Sequence, residues 1–65
     1  MYRTTWEYEG DPVTIGVFDD LINAIRCGIR YSETHERELS RGGGYRVTDP
    51  HGNNWDEFDF PYYDF

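Results

Sequence analysis

Glu7 with Glu9, and Glu57 with Asp59, are carboxylates spaced two residues apart in segments that read as strands. On an extended chain such neighbours share a face and stand about 6.7 Å apart. That separation is comparable to the distance between adjacent phosphates along one nucleic-acid strand. Asp56 and Asp64 enlarge the second set. The chemistry these groups could do is anionic display, a phosphate-like lattice offered to a cationic groove. Edge strands also carry charge to prevent edge-to-edge pairing. That device usually employs lysine or mixed signs, whereas residues 49–65 contain Asp49, Asp56, Glu57, Asp59 and Asp64 and no basic residue.

The whole chain repeats the bias. Thirteen Asp and Glu face six basic residues, all of them arginine, for a net charge of −7 in 65 residues. Residues 1–20 carry Glu7, Glu9, Asp11, Asp19 and Asp20 against Arg3 alone, while Arg26, Arg30, Arg37, Arg41 and Arg46 occupy the middle. Arginine pairs bidentately with carboxylates, so this middle is expected to neutralise part of the acidic field inside the fold. A second arrangement is a bipolar surface, with one face for a cationic partner and one for an anionic partner. Nucleic acid and anionic lipid would both repel the chain, which leaves a positively charged protein as the expected electrostatic partner. Size limits the mimicry. A 65-residue globule has a radius of gyration near 11 Å and spans roughly 28 Å. That length of duplex carries about 16 phosphates, so the chain can imitate a few phosphates and not a full duplex.

Other candidate groups lack partners. Cys27 falls on the opposite side of a helical wheel from Phe18, His35 lies among polar helix formers, and His51 sits in a turn. No Cys/His spacing suggests zinc, and in the Asp49-x-His51-x-Asn53 run the glycine is misplaced for a calcium loop and no closing glutamate follows. Gly42-Gly43-Gly44 lacks the Lys-Ser/Thr of a phosphate-binding loop. A chain this short has little room for a pocket that perturbs a carboxyl pKa. A non-enzymatic protein without cofactor or metal is expected.

The elements that must position these groups follow from periodicity. Tyr2, Thr4, Trp6 and Tyr8 alternate with Arg3, Thr5, Glu7 and Glu9, a half-buried strand closed by a turn at Gly10-Asp11-Pro12. Ile15, Phe18, Ile22, Ile25 and Ile29 recur at helical spacing and form an apolar stripe with Leu21. Asp19 and Asp20 near the start and Arg26 and Arg30 near the end suit the helix dipole. Val13-Thr14-Ile15 could instead extend an N-terminal hairpin and delay the helix to about Phe18. Ser32 could cap a further short helix over residues 32–41, with Glu33 and Arg37 paired one turn apart, and the glycine triplet would follow as a flexible joint. Tyr45–Asp49 reads as a second strand and Asp49–Asn53 as a turn. Trp55–Phe60 reads as a third strand whose alternation needs a bulge near Asp56, ended by Pro61. The sum is a single α+β domain, β-α(α)-β-β, with a three-stranded antiparallel sheet and one or two helices on one face. With one cysteine and no disulfide, twelve aromatic side chains must supply the core. A lone cysteine and the absence of a long apolar run suit a reducing cytoplasm.

In length, in its sequence pI near 4.5, in lacking lysine and in the acidic run Asp56-Glu57-Phe58-Asp59-Phe60, the chain resembles small phage-encoded anti-defence proteins. Among these it is most similar to anti-CRISPR proteins that inhibit type I or type II effector complexes. The resemblance is of kind, without a shared motif, so it assigns no residue roles. It implies a monomeric inhibitor in the bacterial host cytoplasm that acts as a DNA mimic and blocks target recognition. The partner would be a subunit of a CRISPR effector complex, or another cationic nucleic-acid-binding protein, with a cleft lined by Lys and Arg. Asp56, Glu57, Asp59 and Asp64, with Glu7 and Glu9, are the expected contact residues. An antitoxin or small regulatory protein is the alternative, burying Tyr62, Tyr63 and Phe65 on one partner. A third reading gives the acidity to solubility alone.

Overall fold

The computed structural model describes residues 1–56. They form, in order, β1 (Tyr2–Glu7), β2 (Val13–Phe18), α1 (Leu21–Thr34), α2 (Glu36–Leu39), β3 (Gly44–Thr48) and β4 (Asn54–Asp56). The strands make one antiparallel sheet in the order β2-β1-β3-β4, with the helices on one face. The class is α+β as expected, but the sheet has four strands where three are expected. The additional strand is β2, taken from residues whose apolar spacing imitates a helix.

β1 keeps the predicted alternation. Thr4 and Trp6 are buried while Arg3 is exposed. The chain then turns at Tyr8–Asp11, where the Asp11 N–H donates to the Tyr8 carbonyl at 3.4 Å. Both central residues have positive φ, 56° at Glu9 and 85° at Gly10. This is the sign that matches the right-handed twist of a hairpin. Glycine meets it freely; Glu9 adopts it at some cost. The β1–β2 register then slips at Thr4/Thr5, leaving Ile15 unpaired as a bulge. The bulge expected near Asp56 lies at the limit of the described residues, and the strand expected over 55–60 is described only through Asp56.

α1 starts where its cap is. The Asp20 carboxylate accepts the Asn23 N–H at 2.8 Å and the Asn23 side-chain amide at 2.8 Å. Ile15 and Phe18 thus belong to β2, not to the helix. The helix buries Ala24, Ile25 and Gly28, whereas Ile22 is 49% exposed. Ser32 caps nothing; its hydroxyl donates to the Ile29 carbonyl within α1, and His35 divides α1 from α2. The glycine triplet is not a flexible joint. The Gly42 and Gly43 N–H groups satisfy the last carbonyls of α2, Leu39 at 3.2 Å and Glu38 at 2.9 Å. Gly42 takes φ 96°, a left-handed conformation at a helix end that favours glycine.

The core gathers Trp6, Ala24, Ile25, Tyr45 and Val47. Within it the Thr4 hydroxyl donates to the Ala24 carbonyl at 2.7 Å, joining the central strand to the helix. Replacing Thr4 by Val should lower the unfolding free energy by about 1 kcal/mol, the usual net worth of such a bond. A urea titration would read this as a reduced midpoint with unchanged slope. Trp6 lies against Tyr31, and its indole N–H donates to Glu38 Oε1 at 3.0 Å. His35 stacks flat on Tyr31 at 3.8 Å between centroids. Far from lacking a neighbour, that histidine completes an aromatic row over the helix junction.

Candidate functional site

β1 puts Glu7 on the face of the sheet opposite the helices, among Arg3, Thr5, Arg46, Thr48 and Asp56. Among the described residues no element covers this face. Glu7 does not stand there as an isolated charge, since its carboxylate meets Arg46 Nε at 2.9 Å. Arg46 is also the register partner of Asp56 across β3 and β4. Two of the expected contact carboxylates therefore flank one arginine, which sits between them on the middle strand. The pair is about half exposed, so it contributes little to stability. Its effect is to cancel charge.

Glu9 departs further from expectation. It lies in the turn, beyond the end of β1, and its left-handed φ breaks the strand geometry. Glu7 and Glu9 consequently do not form a two-residue ladder on one face. The hairpin turn instead carries Glu9 and Asp11 outward at the end of the sheet where Trp6 meets Glu38. β4 runs toward that same end, from Asn54 opposite Thr48 to Asp56 opposite Arg46. Glu57, Asp59 and Asp64 follow it in sequence and lie outside the described residues, as do Tyr62, Tyr63 and Phe65.

At the opposite end the β3–β4 turn is built on Asp49. Its Oδ1 accepts the His51 N–H at 2.9 Å and the Asn53 N–H at 2.7 Å, and its Oδ2 accepts the Asn53 side-chain amide at 2.9 Å. Desolvation works against the ionised form. The bonds from Asn53 and His51, with the nearby His51 charge, outweigh it and hold the carboxyl below its ordinary value. A depressed carboxyl pKa adds stability at neutral pH that disappears as the pH falls through the depressed value. In an acid titration followed by NMR, the Asn53 amide should hold its position until below the usual carboxylate range. Asp49-x-His51-x-Asn53 is thus a self-satisfied turn. Among the described residues no three His, Cys, Asp or Glu side chains converge as metal ligands.

Comparison with known protein families, curated proteins and solved structures finds no match. Function must be argued from this chain's own geometry.

That geometry includes a groove the sequence reading misses. It runs along the β2 side of α1, holds about 490 Å³, and is lined by Phe18, Asn23, Arg26, Cys27, Arg30, Tyr31 and Thr34. The Phe18 ring folds back over Gly16, where a Cβ would stand only 2.6 Å from ring carbons. Cys27 is not on a solvent face, for its Sγ lies 3.8 Å from the Ile15 carbonyl. Burial pushes this thiol up from its ordinary pKa, which disfavours the reactive thiolate. The signal that could have found the groove is Arg26 and Arg30 one turn apart on the helix. Assigning Phe18 to the same helix hid it.

Proposed function

We propose that the chain is a non-enzymatic inhibitor that occupies the positively charged nucleic-acid-binding cleft of a host defence complex of the CRISPR type. It acts as a monomer in the bacterial cytoplasm and excludes target DNA by local phosphate mimicry. The observation that carries this reading is the charge left at one end of the sheet. Glu9 and Asp11 project from the hairpin turn, at the end toward which β4 runs, and in sequence β4 is followed by Glu57, Asp59 and Asp64 without a basic residue. Glu7 and Asp56 play a lesser part, because Arg46 lies between them. The described residues extend 29 × 26 × 17 Å, dimensions suited to plugging a cleft and too small to replace a duplex.

The test is capture from nuclease-treated bacterial lysate, washed in parallel at about 0.1 M and about 0.5 M salt. Those concentrations bracket a fall in the screening length from about 10 Å toward 3 Å. A nucleic-acid-binding effector subunit should be retained at low salt and released at high salt. Replacing Glu57 by Gln together with Asp59 by Asn should then weaken that complex by about tenfold, mainly through slower association, with an unchanged circular dichroism spectrum. A partner retained at high salt and lost on replacing Tyr62, Tyr63 and Phe65 would establish the regulatory-protein alternative instead.

A further inference from the structure

Natural sheets guard their edges with lysine, proline or inward-pointing charge. β2 has none of these. Val13-Thr14-Ile15-Gly16-Val17-Phe18 carries neither charge nor proline, and Val13 and Val17 are 57% and 48% exposed. Among the described residues β2 pairs with β1 alone, and its one further hydrogen bond is the weak contact from Cys27 Sγ to the Ile15 carbonyl. Every second residue of an outer strand directs its backbone N–H and C=O away from the sheet. This edge can therefore receive another strand.

The charge at its two ends tells which strand it would receive. Asp11 precedes β2 and Asp19 follows it, both exposed. Among the described residues neither carboxylate has an ion pair or a side-chain hydrogen bond. Residues 57–65 hold no basic side chain that could neutralise them. Asp20, next to Asp19, is occupied in capping α1. Asp19 comes eight positions after Asp11, about 26 Å along an extended chain. An added strand of that length meets an uncharged edge along its middle and a carboxylate at each end. The complementary chemistry is an uncharged, β-prone run with Lys or Arg at both ends, and basic residues commonly flank such runs as guards against aggregation. A second copy of this chain fits poorly. Antiparallel pairing of β2 with itself would set Asp11 of each copy against Asp19 of the other, between chains that each carry a net charge of −7.

We infer that the β2 edge captures an extended segment of a partner protein, a run of about seven uncharged residues bracketed by Lys or Arg, which adds to the sheet beside β2. Backbone bonds to β2 supply binding irrespective of sequence, and Asp11 and Asp19 select the basic flanks. The inference does not rest on the cleft reading. Asp19 lies at the other end of β2 from Glu9 and Asp11 and serves strand capture alone.

The experiment titrates the ¹⁵N-labelled full chain with a blocked peptide of sequence Lys-Thr-Val-Thr-Val-Thr-Val-Thr-Lys. Two counterparts serve as controls, one with Glu in place of both Lys and one with Pro in place of each Val, which cannot join a ladder. The first peptide should shift the amides of Val13–Phe18, and neither counterpart should do so. Asp19→Asn should weaken binding about threefold, and Asp11→Asn with Asp19→Asn about tenfold, as loss of charge complementarity requires. Asp19→Asn should leave capture of a cleft-bearing partner from lysate unchanged, which keeps the two readings apart. Thermal melts establish that the variants remain folded. Should a variant unfold, the contrast among the three peptides on the parent chain decides alone. Equal shifts of β2 from the Glu or the Pro peptide, shifts confined elsewhere, or none up to about 1 mM would overturn the inference. So would sedimentation showing a dimer of the chain with β2 amides protected.

Discussion

Replacing Trp6 by Ala should leave a chain with no cooperative thermal transition at room temperature. Truncating a buried tryptophan costs about 3–5 kcal/mol. A domain of this length has a total stability of roughly 3–10 kcal/mol at the usual 0.05–0.15 kcal/mol per residue. The expected loss is thus comparable to the whole. Trp6 is 3% exposed on an interior strand and reaches both helices and the loop between α2 and β3. Its indole N–H binds Glu38 in α2, its ring lies 4.9 Å from that of Tyr31 in α1, and Cζ2 stands 3.1 Å from where a Gly43 side chain would begin. Trp6→Phe separates these roles, keeping most of the apolar area while losing the N–H bond. It should retain a two-state melt with stability lower by about 1–2 kcal/mol. A cooperative transition in Trp6→Ala close to that of the parent would show that the core does not depend on this residue.

Gly28→Ala should destabilise the protein even though it improves helix propensity. In an exposed helix interior the change gains about 1 kcal/mol. Here a Cβ would stand 2.4 Å from the Tyr45 ring carbons Cγ and Cδ2 and 3.0 Å from the Tyr45 Cβ. Those atoms belong to the root of a buried side chain on β3, so relief requires the strand itself to move away from α1. Overpacking of that kind typically costs about 1–3 kcal/mol. Adverse packing therefore prevails, and the urea midpoint should fall. The same substitution in a Tyr45→Ala background should cost less, because the Cγ and Cδ2 atoms it strikes are absent. Equal costs in both backgrounds would show that the contact is not the cause.

The parts of the fold that could be read from the residues were those whose signal is local. The alternation of Tyr2, Thr4 and Trp6 identifies β1 and its buried face, and these residues do point at the helices. Ile15, Phe18, Ile22, Ile25 and Ile29 mislead because a short apolar run can satisfy both periods. The deciding signal was Asp20 three residues before Asn23, a cap that starts the helix after Phe18 and leaves Val13–Phe18 to a strand. Charge pairing was less legible. Glu7 meets Arg46 through the pairing of β1 with β3, strands far apart in sequence, and no local pattern gives that register. The failed Glu7–Glu9 ladder has a different origin, since Glu9 takes a left-handed conformation that glutamate rarely adopts. The arginine-lined groove combines both difficulties. It needs the correct start of α1 and the packing of that helix against β2.

The place of β1 in the sheet has a consequence for how the molecule is made. β1 precedes the other described strands in the chain yet is an interior strand, paired on one side with β2 and on the other with β3. Thr4 must wait for Val47 before that second side closes. During synthesis the β1–β2 hairpin and α1 can assemble early, yet they expose an open interior edge until β3 is available. Contacts of such long sequence separation slow folding and prolong exposure of unpaired edges. Both sides of the β1–β2 hairpin are then open at once, so a nascent chain faces its greatest hazard of pairing with a neighbour just before β3 emerges. Pausing translation after α1 should therefore lower the yield of folded protein more than a pause after β3.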